Sequence, residues 1–320
     1  MPDLLVTENV AGAEMDALRS AFEVTWEPEL WKSPEKIKQI IGNYRGILVR
    51  NQTPVTADLI AAGKKLEVIG RAGVGLDNVD ANAATQAGIV VAFTPVQNSI
   101  SVAELVIGLM LTLARQIALA DQSTKGGKWE RQKFTGLELY EKTIGIVGFG
   151  RIGQLVAERV KAFGTRIMAF DVMQPKTALD VKFAPLDDVL GSADVISVHI
   201  PKTPQTVDFF DYSKFSKMKP SALFINTSRG EVVKEEDLIR ALREKKIAGA
   251  ALDVRATEPP EKSAMEQMEN VILTPHIAAF TREGQKRVVS SICQDVAAVL
   301  RGEDAKYFVN FPRPRRSAHS

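Results

Sequence analysis

Six residues, Gly148-Phe149-Gly150-Arg151-Ile152-Gly153, constrain this chain more than any others because of what flanks them. The apolar run Thr143–Val147 ahead of them has the composition of a buried strand. Behind them Leu155, Val156, Val160 and Phe163 recur at helical spacing. A second apolar run closes on Asp171, 21 residues past Gly150. Strand, glycine turn, helix, strand and acid together make the unit that binds a dinucleotide. In such a unit Gly148 permits the turn, Gly150 lets backbone approach a pyrophosphate, and Gly153 lets the helix pack close to the strand. The helix N-terminus turns free N–H groups and partial positive charge toward the phosphates. Asp171 stands where an acid accepts hydrogen bonds from the ribose hydroxyls and would repel a 2′-phosphate. The following Val172-Met173-Gln174 supply no arginine to offset that repulsion, so NAD(H) is expected over NADP(H).

The rest of the chain alternates short β-type runs with helical ones. Leu4–Val6, Gly46–Val49, Glu67–Ile69 and Ile89–Val91 read as buried strands, with helices over 57–63 and 78–87. Strands alternating with helices predict a parallel sheet covered on both faces. A long helix is predicted from about Ser101, because Val102, Leu105, Val106, Leu109, Met110 and Leu113 share one helical face. After the glycine turn, Asp194–Ile200, Ala222–Thr227, Ala248–Val254 and Val271–Thr274 bring the second sheet to six strands. The last helix, about Arg282–Arg301, has no further sheet of its own and is expected to return to the first domain. The expected fold class is therefore α/β, with two doubly wound parallel-sheet domains.

Charge and cysteine usage exclude several function classes. Among 320 residues, 41 Lys+Arg against 39 Asp+Glu leave a formal net charge of +2. That balance provides no global basic field for nucleic acid or a membrane surface, and neither partner is expected. Cys293 is the one cysteine, so no intrachain disulfide can form and a reducing compartment fits. No metal is expected. The start lacks a basic segment followed by a long apolar one, and the apolar stretch Val102–Leu113 contains Glu104 and is too short to span a bilayer. A soluble cytoplasmic protein is the expectation. The tail Pro312-Arg313-Pro314-Arg315-Arg316 reads as a solvated end rather than a binding arm.

Of three histidines, His319 lies in the tail and His199 closes a strand ahead of Pro201, where a structural or cofactor-flanking role is expected. His276 follows the carboxyl end of a strand, where open parallel sheets bind ligands. Arg229 and Glu258 follow the ends of neighbouring strands. Hydride transfer to or from a 2-hydroxy or 2-oxo acid needs such a trio. The histidine takes the hydroxyl proton, the carboxylate fixes its tautomer, and the arginine grips the substrate carboxylate and polarises the carbonyl.

The chain resembles the D-2-hydroxyacid dehydrogenase family along essentially its whole length. The resemblance is carried by Gly148–Gly153, Asn226-Thr227-Ser228-Arg229-Gly230, Ala251-Leu252-Asp253-Val254 with Glu258-Pro259, and Thr274-Pro275-His276. It implies a nucleotide domain, 99–282, inserted into a substrate domain built from 1–98 and 283–320. It implies Arg229 for substrate orientation, Glu258 as the histidine's partner and His276 as acid/base. It implies cofactor contacts from Val74, Arg151, Ile152, Asp171, Ile200, Thr227, Ser228, Ala278 and Ala279, with Asp253 on the carboxamide. A homodimer is implied, with the helix from Ser101 and the segment to Phe134 as the contact region.

Within the family, Gly70–Asp80, Asn98–Leu105 and Gly127–Phe134 are most similar to the 3-phosphoglycerate dehydrogenase branch. That similarity implies Arg50, Arg71 and Arg131 at the phosphate end of the substrate, with Ala72 and Gly73 beside it. Arginine suits phosphate geometry. Three departures from that branch stand out. Arg255 replaces the aromatic that usually follows Leu-Asp-Val, so an added cation could select another dianion. His276 is followed by Ile277-Ala278-Ala279 without the usual glycine and serine. The chain also ends without the regulatory domains of longer members, which argues against feedback through them. Reduction of hydroxypyruvate, glyoxylate or sulfopyruvate is the alternative chemistry. An NAD(H)-sensing corepressor-like protein is the alternative of another class. Glu258 argues against formate dehydrogenase, whose histidine partner is a glutamine.

Overall fold

The computed structural model describes residues 2–315; Arg316 and His319 of the tail lie outside the described residues. The chain divides into two compact units, one from the start to Asn98 together with the residues from Thr281 on, the other Ser99–Phe280.

The first unit is built on five parallel strands, β1 (Leu4–Val6), β2 (Val24–Trp26), β3 (Gly46–Val49), β4 (Val68–Arg71) and β5 (Val90–Ala92), in the order β2-β1-β3-β4-β5. Helices α1 (Ala13–Ala21), α2 (Pro34–Ile40), α3 (Ala57–Ala62) and α4 (Ala81–Gln86) connect them. Leu4, Leu5, Val6, Ile47, Leu48 and Val49 are all buried, which is why the central strands read as unbroken apolar runs rather than alternating ones. The edge strand β2 is only half-buried, so its Val24-Thr25-Trp26 carries no comparable signal; β2, α1 and α2 are additions to the expected elements. The carboxy-terminal helix, Arg282–Leu300, packs against α1 and β4 of this unit, with Val288, Val289, Ile292, Cys293 and Val296 in its core. The sequence predicts that return.

In the second unit, seven strands are seen among the described residues, one more than expected. They are β6 (Thr143–Val147), β7 (Arg166–Phe170), β8 (Lys182–Phe183), β9 (Val195–Val198), β10 (Leu223–Asn226), β11 (Gly249–Leu252) and β12 (Val271–Leu273). Their order is β12-β11-β10-β9-β6-β7-β8, parallel throughout. The added strand is β8, a two-residue edge pairing with β7 that is too short for any periodicity to mark. The order reverses between β6 and β9, and the glycine turn leaves β6 at that switch point, where such sheets bind ligands.

The predicted long helix is α5 (Ser99–Ala114), followed by α6 (Ile117–Lys125) after a break at Gln116, whose φ is 52°. Packing of α5 against β10, β11 and the helix after the glycine turn, α7 (Arg151–Lys161), buries Val102, Val106, Leu109, Met110 and Leu113. Its apolar character is thus that of a core helix. No single helix among the described residues is long and apolar enough to cross a membrane; α5 and α6 together meet the length and composition but are bent by 60°. The remaining helices are α8 (Leu186–Ser192), α9 (Tyr212–Phe215) and α10 (Glu235–Arg243).

Candidate active site

The glycine turn forms a cradle whose shape each glycine decides. Gly148 has φ 93°, and a Cβ there would lie 2.6 Å from the His199 carbonyl oxygen at the end of β9. A Cβ on Gly153 would lie 2.3 Å from the Gly148 carbonyl oxygen, so α7 can approach β6 only through a glycine. A Cβ on Gly150 would meet nothing within 4 Å, leaving open space at the start of α7. Gly150 is also the cap position and brings no side chain to the first amides of that helix. The carboxylate of Asp171 accepts from the Phe149 amide at 2.6 Å and the Met173 amide at 2.9 Å, fixing it beside the turn. Thr227, just past β10, is buried with its hydroxyl oxygen lacking a partner among the described residues. An open approach at Gly150, a fixed acid and an orphaned buried hydroxyl fit a dinucleotide. Arg151 is exposed at the start of α7, while Ile152 and Ile200 are half-buried.

Three neighbouring strands carry the predicted trio at their carboxyl ends. After β10, the buried Asn226 side chain accepts from the Ser228 amide (3.0 Å) and hydroxyl (2.8 Å) and donates to the Arg229 carbonyl (2.9 Å), folding the loop that presents Arg229. After β11, the fully buried Asp253 accepts from the Thr274 hydroxyl (2.6 Å) and from the amides of Ile277 and Ala278 (2.9 Å each). Its carbonyl accepts from the His276 amide at 2.8 Å. Asp253 thus ties down the loop after β12, although Oδ2 retains acceptor capacity for the expected carboxamide. That loop holds His276 at φ 54°, a left-handed conformation costing a non-glycine residue of order 1–3 kcal/mol and maintained only by such anchoring. The Nδ1 of His276 lies 2.7 Å from Oε2 of Glu258. Burial pushes the Glu258 carboxyl up, but the hydrogen bonds from His276 and the Arg255 amide, with the charges of His276 and Arg229, outweigh it and hold it below the usual carboxylate range.

In the first unit Arg50 follows β3 and Arg71 ends β4, both at carboxyl ends of parallel strands. Arg50 lies at that sheet's own switch point, between β1 and β3. Its guanidinium donates to the Asn9 carbonyl at 3.1 Å and to the Gln285 side chain, while its amide donates to buried Glu8 at 2.8 Å. Burial lowers its pKa against the opposing charge of Glu8; a guanidinium remains protonated regardless. Arg71 folds over Gly73, where a Cβ would lie 1.6 Å from a guanidinium nitrogen. Ala72 is buried and Val74 half-buried on the loop that follows. Arg131 is exposed on the short turn Arg131–Phe134 of the second unit. Among the described residues no cluster of three metal-ligating side chains occurs.

Residues 107–278 match the family model for the D-isomer specific 2-hydroxyacid dehydrogenase NAD binding domain. The chain belongs to the D-isomer specific 2-hydroxyacid dehydrogenase family. It is 43% identical over 314 residues to a D-3-phosphoglycerate dehydrogenase of Archaeoglobus fulgidus, covering 97% of this chain and 59% of that one. The chain thus spans about three fifths of the length of such curated relatives. A solved structure from Thermus thermophilus superposes with a TM-score of 0.91 at 33% identity, covering 96% of this chain and 99% of the other. An NADPH-dependent glyoxylate/hydroxypyruvate reductase of Sinorhizobium meliloti superposes with a TM-score of 0.88 at 30% identity, covering 99% of both.

Two further residues singled out from the sequence have well-defined surroundings. Arg255, expected as a possible selector of dianions, is committed elsewhere. Its side chain, 8% exposed, makes a two-pronged pair with Glu235 at 3.0 and 2.8 Å and a third contact to Glu266 at 3.1 Å. With two carboxylates on one guanidinium, it adds no free positive charge. His199 meets the Ser197 hydroxyl at 2.8 Å, and burial pushes its pKa down to about 3, which favours the neutral ring. Glu235, Glu266 and Glu8 were not singled out from the sequence, since acids scattered along the chain carry no local mark of what they will face.

Proposed function

We propose that this chain is an NAD-dependent oxidoreductase of D-2-hydroxy acids, acting on 3-phosphoglycerate and 3-phosphohydroxypyruvate. The observation that carries the chemistry is the 2.7 Å contact between His276 and Glu258 beside Arg229, in an NAD-binding domain. Bound at the cradle, the nicotinamide cofactor supplies or accepts a hydride. The glycine turn and Asp171 would hold its pyrophosphate and ribose, and the acid favours NAD(H). With Nδ1 of His276 donating to Glu258, Nε2 is left to take the substrate hydroxyl proton or return one to the carbonyl oxygen. Glu258 stabilises the imidazolium that results. Arg229 pairs with the substrate carboxylate.

The phosphorylated substrate is supported by Arg50 and Arg71 at adjacent strand ends and by the names of the phosphoglycerate relatives. Arg131 is assigned to the same anion. Reduction of glyoxylate or hydroxypyruvate is the second reading, favoured by the prior engagement of Arg50 with Asn9 and Gln285 and by the reductase named among the structural neighbours. The deciding experiment is NADH oxidation with phosphohydroxypyruvate, hydroxypyruvate, glyoxylate, pyruvate, sulfopyruvate and oxaloacetate. Preference for phosphohydroxypyruvate, lost in Arg50→Ala while glyoxylate turnover persists, supports the first reading. Preference for an unphosphorylated acid supports the second. No turnover on any of them, with NADH still bound, would point to a sensing protein.

A further inference from the structure

Glu258 lies in a stretch, 256–262, whose residues are all exposed, so its own packing does not hold it in place. What closes this stretch is Arg255. Its amide donates to Glu258 Oε1 at 3.1 Å, on the carboxylate whose other oxygen faces His276. Its guanidinium reaches across the loop to Glu266 and, at 3.4 Å, to Ser263 at the far end, and down to Glu235 at the start of α10. Glu235 also accepts from the Ala256 amide at 2.9 Å, and Glu266 accepts from the Ser263 amide at 2.8 Å. The 255–256 backbone also lies against Gly230, where a Cβ would stand 1.9 Å from the Arg255 carbonyl carbon. Gly230 directly follows Arg229, so the loops bearing Arg229 and Glu258 are in contact through this point.

We propose that Arg255 is a positioning residue that clamps the 255–266 loop to α10 and so holds the Glu258 carboxylate against His276. The inference rests on the reading of Glu258 and His276 as the acid/base pair. Electrostatics add to the geometry: the charge of Glu266 opposes that of Glu235, and without the guanidinium between them this repulsion is uncompensated and works to open the loop. A misplacement of a catalytic partner by about an ångström costs up to about a hundredfold in rate.

A double-mutant cycle on the whole protein tests this, with NADH and phosphohydroxypyruvate, and glyoxylate as a second acceptor. Arg255→Met is expected to lower kcat about tenfold while leaving the KM for NADH unchanged. In a Glu258→Gln background the same substitution is expected to cost less than about twofold, because its target is already gone. Glu266→Gln, which spares the Glu235 fork, is expected to fall between parent and Arg255→Met. Arg255→Lys should not restore the parent rate, since an ammonium cannot make the fork. Parent-like kcat in Arg255→Met, or an equal loss in both backgrounds, overturns the proposal. Should Arg255→Met fail to fold, Glu266→Gln and Arg255→Lys carry the same cycle. Parent-like turnover in Glu258→Gln would instead overturn the acid/base reading beneath it.

Discussion

At the scale of the residue, the carboxylate on Nδ1 of His276 decides which nitrogen is left for chemistry. Proton transfer by such a group contributes about 10²–10⁴-fold. His276→Ala is therefore expected to lower kcat by about that range while NADH titration by fluorescence remains near the parent. Unchanged turnover would remove the histidine from the mechanism. His199 makes a prediction about stability rather than rate. Below its ordinary pKa of 6.5 the unfolded chain binds a proton there that the folded chain refuses until about pH 3. Stability from this group is thus complete above pH 6.5 and falls on acidification, by at most about 1.4 kcal/mol per pH unit. Denaturant titrations between pH 7 and 5 should show that slope, and His199→Gln should flatten it. Glu258, held below the usual carboxylate range, adds a loss of the same sign only at lower pH. The sequence singled out His276, Glu258 and Arg229, and the structure brings the first two into contact. The anchor under His276 was not legible in the sequence: no local pattern marks the Asp253 carboxylate as the acceptor of the 277 and 278 amides, a role beside the one expected of it toward the cofactor.

At the scale of the element, the glycine turn separates fold from binding. Gly150→Ala adds a methyl into open space at φ −69°, so its Tm should match the parent, yet NADH affinity should fall about tenfold or more because the methyl occupies the path of the phosphates. Gly153→Val places its Cβ against a backbone carbonyl that cannot swing away, and should lower both stability, by about 1–3 kcal/mol, and NADH affinity. A lowered Tm in Gly150→Ala with intact NADH binding would contradict this division. The central strands and α5 were readable because burial on both faces demands runs of apolar side chains. The edges β2 and β8 were not, because they are half-covered or two residues long and their sequences are free to be polar.

At the scale of the whole molecule, both units place their candidate binding residues at the switch point or carboxyl edge of a parallel sheet. The second unit also exposes Ile117, Trp129 and Tyr140 around α6 and the segment after it, at 50%, 80% and 62%. The family resemblance implies a dimer contact from the helix beginning near Ser101 to Phe134, and the exposed Ile117 and Trp129 fall within it. Sedimentation at twice the 35.0 kDa of the chain is expected, with Trp129→Ser shifting it toward the monomer; a monomer at micromolar concentration would remove the dimer. Turn chemistry, apolar periodicity and the acid 21 residues past Gly150 act over short stretches, so the sequence by itself determined two α/β sheets, the dinucleotide cradle and the residue types of the proposed trio. Which carboxylates face Arg255, which amides rest on Asp253 and what Arg50 touches were decided only by tertiary structure. Those pairings join residues up to 235 positions apart, and their partners are set by the packing of whole elements rather than by any local pattern.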